Sequence, residues 1–381
     1  MEPKRILHVV GAMNRAGTET MLMNIYRNIE RKHIQFDFIS YSDQEAHYDE
    51  EIIKLGGRVI KLANTRSIKE IYDAIKHYGP YEAVHCHTLF HCGIANLAAL
   101  LAGVKIRVSH AHTTSDKSDS YMRKVYIHSM RNLINTFSTH LLACSYQAGK
   151  YLFGEKGVNT SKYSFFANVI DYQVYLKEPK KNVAAFKVEN GFGSSLVIGH
   201  IGRFIESKNH VFLMEVLEKA LRKDATIKLL LVGDGDQRID IERKAKAAGL
   251  WENILFAGIR EDISTMMHSM DVFVFPSKYE GLGLVLLEAQ ASGLPCIVSE
   301  SIQPEADLGI GIFTKLKLSD GPEVWVQHIL VLANKKEKDA TKISRAFEKN
   351  GYALSEGISQ LMNMYNCSEG EVHEKSVNRL F

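Results

Sequence analysis

The chain has 381 residues, 45% of them hydrophobic and 24% charged, too long for one ordinary core and suited to two. It contains no apolar run near the ~20 residues of a membrane span, so it does not cross a bilayer by a helix. Five scattered cysteines without a CxxC pair exclude a disulfide framework, and a net charge of +3 argues against nucleic acid as partner. The charge is unevenly divided. Residues 1–180 hold 23 Lys and Arg against 17 Asp and Glu, whereas 181–381 hold 24 against 27, a modest bias of the first half toward an anionic acceptor or membrane surface.

The chain opens on a charged Lys4-Arg5 pair and a short strand-like run, without the long apolar segment of a signal peptide, which points to the cytoplasm. Strands are expected at 6–10, 36–41, 83–87, 106–110, 140–145 and 164–167, separated by helix-like stretches, the rhythm of a parallel sheet with crossover helices. The first strand runs into a loop from Gly11 to Gly17 with G-x5-G spacing, unlike the GxGxxG of dinucleotide sites. His85-Cys86-His87 and His91-Cys92 carry zinc-ligand chemistry, but their spacing fits no common zinc module, and on a strand His85 and His87 face away from Cys86. No metal site is expected there. The fourth expected strand ends in His110, Ala111, His112, Thr113 and Thr114. The helix at 121–137 sets Tyr126, Met130, Leu133, Ile134 and Phe137 on one side and Lys124, His128 and Arg131 on another. That arrangement suits either a buried stripe with a solvated basic face or a membrane surface.

At 177–193 the pattern dissolves around Pro179, Gly191 and Gly193, and the linker is expected there. The division is then 1–180, 190–345 and a helical tail at 346–381 that packs back on the first domain, with its polar end beyond Cys367. Further strands are expected at 196–200, 227–232, 254–257, 272–275 and 295–298. Gly202-Arg203 and Lys208 follow the first of these, at the strand end where α/β sheets bind ligands. Asp234-Gly235-Asp236 looks superficially like a metal-binding DxD, but lies in a glycine-rich turn and reads as structural.

The most informative stretch is 272–295. A buried strand ends at Pro276, Gly281 and Gly283 permit a tight turn, and a helix begins near Leu284, whose free backbone N–H groups favour a diphosphate. Glu280 and Glu288 bracket that position, and carboxylates accept hydrogen bonds from sugar and ribose hydroxyls. An ordinary strand-to-helix turn with two surface glutamates would give the same spacing. Arg203, able to fork onto phosphate oxygens, and Lys208, a point charge, make the combination specific.

Pro276-Ser277, Glu280-Gly281, Gly283 and Glu288, followed by AxASGxP, resemble retaining glycosyltransferases of the two-domain GT-B type, family 4. The resemblance extends to GRF with Lys208 five residues after Arg203, to Gly233-Asp234-Gly235, and to Phe256, Gly258, Arg260 and Asp271. It spans most of 5–300. It implies two Rossmann-like, doubly wound α/β domains facing a central cleft. Arg203 and Lys208 would neutralise the diphosphate of a nucleotide sugar, in place of a metal. Glu280 would bond the donor sugar, Glu288 the ribose, and the backbone near Gly258 and Arg260 the base, most often uracil. Gly281, Gly283 and Leu284 would shape the phosphate turn. Gly17 would approach the diphosphate, and His112 the donor sugar. No cofactor is implied beyond the donor substrate. The expected partners are a UDP-sugar and a saccharide or lipid-linked saccharide of cell-surface polysaccharide biosynthesis, with the enzyme cytoplasmic or peripheral at the inner membrane face. A nucleotide-sugar 2-epimerase or a non-catalytic sugar-nucleotide sensor shares this architecture.

Overall fold

The computed structural model describes residues 2–114, 121–333 and 335–367. They form two compact units, the described residues of 1–169 with those from 351 to 367, and those of 170–350. Among the described residues the first unit contains a seven-stranded parallel sheet: β1 (Lys4–Val10), β2 (Ile34–Ser40), β3 (Val59–Lys61), β4 (Ala83–Cys86), β5 (Ile106–Ala111), β6 (His140–Ala143) and β7 (Tyr163–Phe165). Their order is β3-β2-β1-β4-β5-β6-β7. The second unit holds β8 (Val197–Ile201), β9 (Lys228–Val232), β10 (Ile254–Gly258), β11 (Val272–Phe275), β12 (Cys296–Ser299) and β13 (Phe313–Leu316), in the order β10-β9-β8-β11-β12-β13.

Near-continuous runs such as Val272, Phe273, Val274 and Phe275, all fully buried, are what a strand covered by helices on both faces requires. In each sheet the order reverses beside the first strand, between β1 and β4 and between β8 and β11. Loops leaving the carboxyl ends of strands at such a reversal splay apart and leave a crevice. The Gly11–Gly17 loop and the segment after β4 flank the first reversal. The loops 202–208 and 276–283 flank the second.

Two short strands, β3 and β13, went unpredicted. The expected linker is also corrected: the chain enters the second unit at Ile170 and returns to the first at Gly351. Residues of the expected linker form the helix Lys180–Glu189, with Val183 and Phe186 buried and Phe186 edge-on to Phe192 at 5.7 Å. Pro179 and the glycines bound a helix, since Pro is tolerated at a helix start and Gly191, with φ 64, turns the chain after its end. The tail at 346–381 divides as well. The helix Ala340–Lys349, N-capped by Asp339, belongs to the second unit, and Leu354–Met364 to the first. There Gly357 presses on Val169 so closely that a Cβ would lie 2.4 Å from its methyl, and Gln360 donates to the Phe165 carbonyl at 3.0 Å. The expected polar end beyond Cys367 lies outside the described residues.

Candidate active site

In the second unit, Gly202, Arg203 and Lys208 leave β8 on a loop held from two directions. The glycine turn after β9 underlies it: Gly202 N–H donates to the Val232 carbonyl at 2.9 Å and Phe204 N–H to that of Asp234 at 3.0 Å. The approach is so close that a Cβ on Gly233 would lie 2.2 Å from the Gly202 oxygen. The Asp234 carboxylate accepts from the Gly235 amide at 2.8 Å, in keeping with a structural turn. On the other side, Lys278 N–H donates to the Ser207 carbonyl at 2.7 Å and the Asn209 amide to that of Pro276 at 3.2 Å. The loops after β8 and β11 are thereby fastened together.

That fastening brings Lys208 and Glu280 into contact. Lys208 Nζ lies 2.5 Å from Glu280 Oε1, both side chains mostly shielded from water (14% and 15% exposed), and 4.4 Å from the centre of the Phe275 ring. The pair is 72 residues apart in sequence. Arg203 is exposed, and its guanidinium has no partner among the described residues. At Gly283 the backbone turns left-handed, φ 81, and the helix Leu284–Ala291 begins without a side-chain cap. Its first N–H groups are therefore available to an anion. Gly281 and Leu284 are buried around the turn.

Glu288 lies one turn into that helix. Burial pushes its carboxyl up to about 7, opposed by a hydrogen bond from Tyr175. Tyr175 ends up there because the helix Gln173–Leu176 belongs to the second unit, and its carbonyl accepts from His268 Nε2 at 2.9 Å. Nothing in the sequence around Tyr175 marked it. Gly258 has φ 66 and its carbonyl accepts from Gly233 N–H, whereas Arg260 is committed to a two-pronged ion pair with Asp262 at 2.8 Å and 2.8 Å. The Arg260 guanidinium is thus held by Asp262, and the Gly258 carbonyl by the glycine turn after β9.

In the first unit Gly17 is exposed at the start of the uncapped helix Gly17–Asn28, and half-buried His112 follows β5. His112 does not stand alone. His8, His85, His87, His110 and His112 converge from β1, β4 and β5 on one face of the sheet, a convergence missed from sequence because three strands contribute to it. His8 Nδ1 is 3.2 Å from His87 Nε2, His87 Nδ1 is 2.9 Å from His112 Nε2, and His85 bonds both His110 (3.2 Å) and the Tyr365 hydroxyl (2.6 Å). Burial holds His8 and His112 down to about 3, and keeps the other three well below the usual imidazole range. On the helix Tyr121–Phe137, Lys124 and His128 are exposed, but Arg131 donates to the Tyr151 carbonyl at 2.5 Å and leaves the basic face.

A model of Glycosyltransferase Family 4 matches residues 15–174, and one of Glycosyl transferases group 1 matches 195–335. The sequence is 39% identical to EpsF of Bacillus subtilis (strain 168), over 98% of this chain and 99% of that one. The chain belongs to glycosyltransferase family 4. A second relative of this glycosyltransferase is the capsular polysaccharide biosynthesis glycosyltransferase CapH of Staphylococcus aureus, 26% identical over 91% of this chain and 95% of the relative. The fold is shared with Anabaena Alr3699/HepE, solved in complex with UDP and glucose: TM-score 0.78 at 17% identity, covering 96% of this chain and 100% of that one. Two parallel, helix-flanked sheets of this kind are the GT-B class. Membership in the family sets aside the epimerase and sensor readings that the architecture alone left open. Among the described residues no helix is long and apolar enough to cross a membrane.

Proposed function

We propose that this glycosyltransferase moves a sugar from a UDP-sugar to a saccharide or lipid-linked saccharide in bacterial cell-surface polysaccharide biosynthesis, with retention of anomeric configuration. The observation that carries the reading is the Lys208–Glu280 pair at the second unit's switch point, on the same two loops as unpartnered Arg203 and an uncapped helix start. Cations and free N–H groups stabilise the diphosphate as it departs, the charge-neutralising task a metal performs elsewhere. Glu280 holds a sugar hydroxyl, and Glu288 a ribose hydroxyl. The acceptor hydroxyl attacks the anomeric carbon from the face the diphosphate leaves, and the leaving phosphate oxygen takes its proton. The names of CapH, a capsular polysaccharide enzyme, and of HepE, seen with UDP and glucose, support the pathway and the base. Gly17 and His112 are assigned to the same transfer.

A panel of UDP-sugars and saccharide acceptors tests this. Transfer should occur in the presence of EDTA and give a product whose anomeric proton coupling matches that of the donor. An inverted product would overturn retention, and activity abolished by EDTA but restored by Mg²⁺ or Mn²⁺ would overturn metal independence. A peripheral membrane location is supported by Met122 and Val125, 76% and 47% exposed beside Lys124 on the helix Tyr121–Phe137. Co-sedimentation with anionic vesicles, reduced in Met122→Asp, is the expected result.

A further inference from the structure

The register of the first sheet sets His8 opposite His85, and His85 opposite Val108. Side chains two residues apart share a face, so His87, His110 and His112 fall on the same side as His8 and His85, toward the carboxyl ends of the strands. Ring centroids are 4.0 Å apart for His110 and His112 and 5.2 Å for His87 and His112. The three rings of His87, His110 and His112 each offer one nitrogen within 4.8 Å of the other two. No strand supplies all three, and among the described residues no carboxylate joins the group.

We infer that His87, His110 and His112 form a binding site for one divalent transition-metal ion of the zinc class. Zinc bound by imidazole at about 2.0–2.1 Å sets tetrahedral ligand nitrogens about 3.3 Å apart. His87 Nδ1 and His112 Nε2, at 2.9 Å, already lie near that spacing. Nε2 of His110 is buried and has no partner among the described residues. The outer contacts of His110 and His87 suit ligation, while His112 Nδ1 is buried without a partner among the described residues. With His110 Nδ1–H donating to His85 Nε2, and His85 Nδ1–H to the Tyr365 hydroxyl oxygen, the lone pair of His110 Nε2 is left for a cation. With His87 ligating through Nδ1, its Nε2–H donates to His8 Nδ1. The companion trio of His8, His85 and His87 is less suited, since both nitrogens of His85 are bonded to groups outside that trio, His110 and the Tyr365 hydroxyl, whereas the partner of His87 Nδ1 is the fellow ligand His112. His87 and His112 follow the ends of β4 and β5 and are half-buried, in contrast to His8, His85 and His110. An all-imidazole set selects zinc, cobalt, nickel or copper over magnesium or manganese, so the site is independent of the metal requirement tested above. Where His112 acts in transfer as proposed, an occupied site withdraws its Nε2 and Zn²⁺ inhibits; this clause alone rests on the proposed function.

The test is a titration of the chelator-stripped full chain with Co²⁺, read by visible absorption, followed by displacement with Zn²⁺. Expected are the intense bands of tetrahedral cobalt, saturation at about one ion per chain, and binding weaker by about tenfold or more in His87→Asn and in His112→Asn. Both variants replace half-buried rings, and circular dichroism is used to check that they fold; the exposed His77→Asn should bind like the parent. A folded parent without the cobalt bands, or binding as tight as the parent's in both folded ligand variants, would overturn the site. Because the readout is spectral, a chain that binds cobalt but transfers no sugar would sink the functional reading alone. A chain that transfers sugar but shows no bands would sink the metal site alone.

Discussion

Lys208 and Glu280 meet in a half-dry corner, against the Phe275 ring, where each neutralises the other. Lys208→Ala removes a cation from the departing diphosphate, and Glu280→Gln keeps the shape while losing the carboxylate. Each should lower kcat/KM by about 10²–10³, the range for deleting one preorganised electrostatic group, with the fold retained by circular dichroism. Near-parental turnover in both would remove them from the site. Glu288 gives a pH test. A carboxyl raised in the folded state favours folding while protonated and loses that contribution as pH rises from its ordinary 4.5 through about 7. The melting temperature of Glu288→Gln should therefore gain on the parent across that window, and a constant difference would contradict the buried carboxyl. Arg203, Lys208, Glu280 and Glu288 could be singled out as candidates because each lies on a short contiguous motif. Tyr175 and the partners of His112 were not, because what marks them is position in space.

At the level of elements, the glycine turn after β9 fixes the height of the Arg203 loop. Gly233→Ala puts a methyl into the Gly202 carbonyl at a backbone angle, φ 131, that L residues avoid. A loss on the order of 1–3 kcal/mol is expected in denaturant unfolding, with a raised KM for the donor. Gly249→Ala, also at positive φ but with open space around it, should cost less and leave KM unchanged. The long buried strands were legible from their apolar runs. β3 and β13 were not, because neither carries an apolar run: Lys61 ends the one and Lys315 interrupts the other. The helix Lys180–Glu189 was masked by the Pro and Gly that bound it.

At the scale of the whole molecule, the chain leaves the first unit at Val169 and comes back at Gly351. The returning helix Leu354–Met364 carries Ile358, Leu361 and Met362 into that unit, and Tyr365 reaches the His85 imidazole. Tyr365→Phe leaves a buried ring nitrogen unsatisfied and should cost about 1–3 kcal/mol. A chain ending at Asn350 should lose amide-exchange protection in β4 to β7 while β8 to β12 stay protected; unchanged protection in the first sheet would show that the helix is dispensable. The sequence by itself determined the two α/β sheets and the glycine turn that opens the helix Leu284–Ala291, because apolar periodicity and local turn chemistry act over neighbours in the chain. Only the tertiary structure decided that Lys208 grips Glu280, that Tyr175 reaches Glu288, that the last helix belongs to the first unit and that five histidines share one face. Those depend on strand order and register, which couple residues tens to hundreds of positions apart.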